Sequence, residues 1–405
     1  MTFGAPVRLP MKSMIKGMHS LRRALSLRIN VLPIIFLLLT PCIARERGPR
    51  VEVLCPWPPI PVTMGKAKIL VYELHITNFD TVRLTISSIE VFGNDSSESL
   101  IALANEKLSA ALVRVGAAIA GSSPGANHDT RMIDPGGRNV LFLWVELPAN
   151  HAVPTILKHR IVFSSTPADA KSPIDATLYD FQVPVNQDPV PTLGPPFQGG
   201  IWLVGDGPVN DSNHRRSIFA IDGHIYSPER FAIDWERIGA NNDTRNGGST
   251  RNENWWGWGE RVLAVADGDI TEAVDQFPDN APRVLPPVTL DNIAGNHIVL
   301  QISPSRFVTY AHLQKGSIRV RAGEHVRRGD VLALLGNSGN STGAHLHVQL
   351  TDRNSVLQSQ GVPFVFSEFT YLGPGSEYPE KQRAEPWRDS IPPGNGVVKF
   401  EGATK

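Results

Sequence analysis

The chain has 405 residues, 41% of them hydrophobic and 19% charged, with 39 Lys+Arg against 39 Asp+Glu and a formal net charge of zero. That is too apolar for a disordered chain, and at roughly 100–200 residues per domain it predicts two folded units plus terminal segments. The balanced charge argues against nucleic acid as a partner, because neutralising phosphates takes clustered Lys and Arg.

Lys12, Lys16, Arg22, Arg23 and Arg28 precede a short apolar run, VLPIIFLLL, from Val31 to Leu39. Spanning a bilayer takes about 20 apolar residues, whereas a basic stretch before an apolar core of about 7–15 residues is the pattern of an export signal. Residues 1–44 are therefore read as a signal peptide, with Ala44 as the cleavage point. A lipoprotein signal ending on Cys42 and a retained anchor are the alternatives, and only these would tether the protein to a membrane. Cys42 and Cys55 are the only cysteines. Once Cys42 leaves with the signal, no internal disulfide can form. No thiolate cluster exists to bind a metal, so a metal must be held by histidine and carboxylate.

Residues 45–66 are Pro-rich and expected to be extended. From Ala67 onward come KILVYELHITN, VRLTISSIEVFG, NVLFLWVELP and HRIVFSS. These runs are β-branched and aromatic and are bounded by Gly, Pro, Asn and Asp, which is the signature of strands. Leu100 to Val115 fits either a helix or a strand pair. The expected fold class is all-β, beginning with an immunoglobulin-like β-sandwich over 67–185. Its His75, His128, His151 and His159 lack ligand-like spacing and read as core or surface residues. Residues 186–200, NQDPVPTLGPPFQGG, read as a linker. Residues 201–370 are again strand-rich and are expected to form a mainly antiparallel sheet. Within them Ala240 to Gly259 is a long polar loop carrying Trp255, Trp256 and Trp258, which either grip a ligand or pin the loop. Residues 371–405 read as an irregular tail.

The pair His345 and His347 lies in GNSGNSTGAHLHVQL. Positions i and i+2 of a strand share a face, so both imidazoles can enter one cleft, and the glycines before them allow close backbone approach. Alone, two such histidines say little. They follow Tyr310-Ala311-His312-Leu313, the run GSIRVRAGEHVRRGDVLALLGNSG, and RFAIDW around Asp234. In that order the set resembles the lysostaphin-type (LytM-like) zinc metalloendopeptidase family, across Ile201 to Leu350. The resemblance implies one zinc per chain, held by a histidine, an aspartate four residues later and the second histidine of HxH. Asp234 and His347 match the last two, and His312 and His345 match the family's catalytic, non-ligand histidines. It also implies peptidoglycan peptides as substrate and a place outside the cytoplasm, periplasmic or secreted, in a bacterial envelope.

One position departs from the family pattern. Four residues before Asp234 stands Arg230, and arginine stays protonated with no lone pair for a metal. His214, in the polar segment DSNHRRSIFAID, is taken as the replacement. His224, beside the turn signal Asp222-Gly223, and no third protein ligand are the alternatives. Loss of the ligand would leave a non-catalytic module that binds or activates another wall hydrolase, whereas the presence of Asp234, His312, His345 and His347 together favours an active enzyme. A zinc enzyme acting on other proteins is a third reading. His297 and His325 read as packing or surface residues, Gly336, Gly339 and Gly343 as shaping the turn before HLH, and no GxSxG elbow supports a serine hydrolase.

Overall fold

The computed structural model describes residues 48–116, 129–166, 171–248 and 250–401; the expected signal with Cys42, and His128, lie outside them. The first part holds two five-stranded antiparallel sheets. In one, Ala67–Asn78 lies between Val51–Leu54 and Arg138–Leu147. The other orders Ile174–Pro184, Ile156–Ser165, Leu84–Gly93 and Ser99–Ala104. The ambiguous stretch from Leu100 divides between both readings: the strand Ser99–Ala104, the helix Asn105–Ala111 and the strand Leu112–Arg114.

Strand alternation decides what each face of Ala67–Asn78 touches. Leu70, Tyr72, Leu74 and Ile76 enter a core shared with Ile86, Ile89, Leu157 and Ile161 of the facing sheet, which makes the pair a sandwich. Ile69 and Val71 point the other way, into the core that holds Trp202, Phe231 and Trp235 of the second part. This strand is buried on both sides, and so its sequence is almost continuously apolar rather than alternating.

The second part is built on an eleven-stranded sheet. Its centre runs Gly200–Gly205, Ile233–Ile238, Leu346–Thr351, Arg306–Leu313 and Asn296–Ser303, every neighbouring pair antiparallel. Trp202 is fully buried and stacked on Phe197 with ring centroids 3.5 Å apart. Among the described residues no helix is long and apolar enough to cross a membrane.

Two segments carry more pairing than their composition suggests, and one sequence expectation, the C-terminal tail, needs correction. The segment 45–66 contributes the strands Val51–Leu54 and Val62–Met64, both paired with Ala67–Asn78. The segment 186–200 carries Thr192–Leu193, which pairs in parallel with Val365–Pro374. Residues 371–405 are not an irregular tail: Glu385–Ser390 and Gly396–Phe400 are strands, and the second lies between Gly200–Gly205 and Val365–Pro374. Surrounding Pro and Gly hide these short strands from pattern reading, yet Val397, Val398 and Phe400 are all buried. Each such side chain contributes roughly 1.5–3 kcal/mol, so together they rival the net stability of a domain. A chain ending at Ser390 is expected to lose its cooperative thermal transition; a soluble truncation melting like the full chain would contradict this placement.

The contact between sandwich and second sheet is not wholly apolar. Glu73, next on the face after Val71, is 1% exposed. It accepts from Arg230, Nε to Oε1 at 2.9 Å and Nη2 to Oε2 at 3.0 Å, and from the fully buried Arg215. Burial pushes its carboxyl up, but the two guanidiniums outweigh burial and bring it from 4.5 down to about 2. Burial lowers Arg215 to about 10, which leaves it charged at neutral pH. A depressed carboxylate pKa adds stability above its unfolded value that is lost as pH falls through the folded one, here about 3 kcal/mol. Thermal stability should therefore decline between about pH 5 and about pH 2. Glu73→Gln should flatten that decline, and an unchanged slope in the variant would show that Glu73 does not carry it.

Candidate active site

The sheet register builds the site. Asp234 lies directly opposite His347, and Ala311 opposite His347 on its other side. Directly paired residues have Cβ atoms about 5 Å apart on one face, and His347 Nδ1 lies 3.0 Å from Asp234 Oδ1. His345, two residues earlier on the same face, brings Nε2 to 3.5 Å from the same oxygen. His214 comes from elsewhere, on the single turn Asn213–Arg216, whose N-cap Ser212 accepts from the Arg215 N–H. Its Nε2 is 3.6 Å from Asp234 Oδ2, and its ring stands edge-on to His347 at 4.7 Å.

His312 reaches the cluster by a different device. Asn296 pairs with Leu313 and Ile298 with Tyr310, so Ala311 and His312 together oppose the single residue His297. This is a β-bulge, which re-aims side chains at a strand end, and His312 has φ +60°, a left-handed conformation uncommon for a residue with a side chain. The bulge turns its ring onto the His345 side, with centroids 4.7 Å apart. Strict alternation would have sent His312 to the opposite face from Ala311.

The hydrogen bonds assign the free nitrogens. His312 Nδ1 donates to the Ser338 carbonyl at 2.8 Å, and His345 Nδ1 to the Gly343 carbonyl at 2.9 Å, so in each ring Nε2 is the nitrogen that these backbone bonds do not engage. Burial, and then the charges of His345 and His347, hold His312 well below the ordinary histidine value, so it is neutral at pH 7. Burial opposes ionisation of Asp234, but His214, His345 and His347 around it prevail and hold its carboxyl far below the usual range. Burial likewise lowers His347, yet the Asp234 hydrogen bond and charge raise it to about 9.

The donor set fits a metal ion. His214, Asp234 and His347 each offer one ligand atom within 4.8 Å of the others. His347 Nε2 donates to Gln349 Oε1 at 2.9 Å, which points Nδ1 at the carboxylate, the arrangement by which outer residues orient metal-binding histidines. His214 Nδ1 is buried without a hydrogen-bond partner. Two imidazoles and one carboxylate, with further positions open to a cleft of about 510 Å³, are the ligands that zinc takes in catalytic sites.

Every site residue expected from sequence, His214, Asp234, His312, His345 and His347, lines this one cleft. His224 does not: it is exposed on the Phe219–Ile221/His224–Tyr226 hairpin, whose turn is Asp222-Gly223. The tryptophans pin their loop. Trp255 is buried in the core, and Trp256 Nε1 donates to Asn241 Oδ1 at 2.9 Å. Sequence reading passed over Gln349, though its place two residues after His347 on one strand face was a usable signal.

A carboxylate and several histidines on an antiparallel sheet, opening to a cleft, form a candidate metal-binding site. Residues 257–359 match peptidase family M23 and contain His312, His345 and His347; this part of the chain belongs to that family, the LytM-like metallopeptidases. Among curated relatives, the peptidoglycan DD-endopeptidase ShyA of Vibrio cholerae serotype O1 is 43% identical over 66 residues, 16% of this chain and 15% of the relative. A protein named as an uncharacterized metalloprotease of Buchnera aphidicola is 38% identical over 104 residues, 26% of this chain and 23% of the relative. The chain thus spans under a quarter of the length of either. The catalytic domain of the antimicrobial peptidase lysostaphin from Staphylococcus simulans is 21% identical with a TM-score of 0.21, over 40% of this chain and 88% of that one.

Gly343 lies where the Trp255 loop meets the HLH strand. A Cβ there would stand 2.7 Å from Trp255 Nε1, and its carbonyl orients His345. Gly343→Ala should cost about 1–3 kcal/mol by overpacking and shift the His345 ring. Loss of turnover beyond the fraction unfolded, measured against a melting curve, is the expected result; full activity per folded molecule would count against this role.

Proposed function

We propose that this protein is a zinc metalloendopeptidase that hydrolyses peptide bonds in peptidoglycan, in cross-links or stem peptides, outside the cytoplasm of a bacterial envelope. The observation that carries the reading is the convergence of His214, Asp234 and His347 within 4.8 Å beside His312 and His345. The family match and the relative named as a peptidoglycan DD-endopeptidase support the substrate class.

In this reading His214, Asp234 and His347 hold one zinc per chain. When bound, zinc supplies a Lewis acid that polarises the scissile carbonyl and lowers the pKa of water toward about 7. His312 and His345 present Nε2 to the same cleft. One takes the proton of the attacking water and returns it to the leaving amine, and the protonated imidazole donates to the oxyanion as it forms. Gln349 keeps His347 in the orientation that frees Nδ1.

Arg230 favours the rival reading of a non-catalytic module, since it occupies the family's first ligand position. His214 answers it by bringing an imidazole to the same carboxylate. The decisive measurements are zinc stoichiometry of the full chain and digestion of purified cell walls set against protein substrates. Wild type should hold one zinc and release wall peptides. His214→Ala and His347→Ala should lose zinc and activity. His345→Ala should keep zinc yet lose about 10²–10⁴-fold in turnover. A wild-type chain without zinc after reconstitution would overturn the enzyme reading in favour of the module, and preferential cleavage of protein substrates would overturn the wall assignment.

A further inference from the structure

The turn that carries His214 is held almost entirely from the sandwich side. Arg215 inserts into the sandwich sheet: it pairs with Glu73, donates through Nη2 to the Tyr72 carbonyl at 2.9 Å, and lies over the Phe142 ring at 4.8 Å. Arg216 donates to the Ala110 carbonyl at 2.7 Å, and Asn210 to the Phe142 carbonyl at 3.1 Å. On the cleft side, the Asn213 N–H donates to Asp206 Oδ1 at 2.8 Å. His214 itself has no hydrogen bond on Nδ1 and a 3.6 Å approach to Asp234 on Nε2.

A four-residue helix has no stability of its own, since nucleation alone is unfavourable. Its conformation must come from what its side chains grip. Successive residues of a helix point about 100° apart, so fixing Arg215 in the sandwich fixes the direction in which His214 leaves the turn. The carboxylate that fixes Arg215 is also the one that takes Arg230, whose Nη1 donates to the Gly361 carbonyl at 3.0 Å and whose guanidinium lies over Trp57 at 5.2 Å. The residue standing at the family's first ligand position and the residue after the replacement ligand therefore meet at one sandwich side chain.

We propose that Glu73 is a positioning residue of the metal centre: through Arg215 it sets His214 against Asp234, and the sandwich is thereby a working part of the peptidase site rather than a spacer or a cover. This rests on the reading of His214 as a metal ligand.

The test uses the full chain and reads metal binding, not only turnover. Zinc affinity is measured by competition with a chromophoric chelator, and geometry by the visible absorption of the Co(II)-substituted protein. The variants are Glu73→Gln and Arg215→Met. The second keeps Glu73 paired with Arg230, so it leaves no lone buried carboxylate and decides the matter if Glu73→Gln does not fold. Both are expected to bind zinc about 10–100-fold more weakly, as for loss of residues that orient metal ligands, with an altered Co(II) spectrum. Folded Arg215→Met with wild-type affinity and spectrum would overturn the proposal. His214→Ala separates the two layers: if it loses zinc while the other variants keep wild-type affinity, only the positioning role fails, whereas if it keeps zinc, the ligand assignment fails and the positioning role with it.

Discussion

The antiparallel pairing of Asp234 with His347 is the constraint on which the site turns. A carboxylate beside the imidazoles of His345 and His347 is a local charge arrangement that the register of two strands makes unavoidable. Shifting either strand by one residue would send one partner to the far face. The fully buried Trp235 and Leu346 on the opposite faces of those strands hold the register, because a slip would carry both out of the core. Core packing on one side of the sheet thus fixes the placement of the carboxylate and imidazole on the other.

Two of the five site residues do not follow from that register. His312 depends on a bulge and a left-handed backbone, and such strain persists only where surrounding structure over-determines it. Its Nδ1 bond to Ser338, and the Ser338 hydroxyl bonds to the Leu313 carbonyl and the Asn296 N–H, supply that surrounding. His214 depends on a turn docked against the sandwich. The sheet supplies a fixed half of the site and irregular backbone the other half, the usual division between rigid scaffold and loops.

Legibility in the sequence follows the same division. Asp234, His345 and His347 could be placed from strand periodicity and motif order, because a regular strand has only two faces. The bulge at His312 leaves no mark in composition, and the motif alone brought that residue forward. His214 was one of two histidines between residue 200 and Asp234, and its polar segment favoured it over His224, which follows a turn signal. Glu73 was not reachable. It lies within an almost unbroken apolar run, more than a hundred residues from its partners, and only the packing of the sandwich on the sheet shows that this face meets two arginines. The C-terminal strands were missed for a different reason: Pro and Gly around them mimic the composition of a tail.

A buried carboxylate shared by two arginines is not an obvious way to gain stability. Desolvating three charges costs several kcal/mol per ion, and well-packed apolar residues often do as well or better. Its distinguishing property is geometric demand. An apolar contact tolerates sliding and rotation, whereas Glu73 must receive Arg230 through two nearly parallel hydrogen bonds and still meet Arg215. That demand fixes the separation and orientation of the Arg215 turn and the Arg230 segment, which lead respectively to His214 and, four residues on, to Asp234. Directional contacts of this kind can hold an irregular turn as precisely as a strand would, and their unfavourable burial is the cost of that precision.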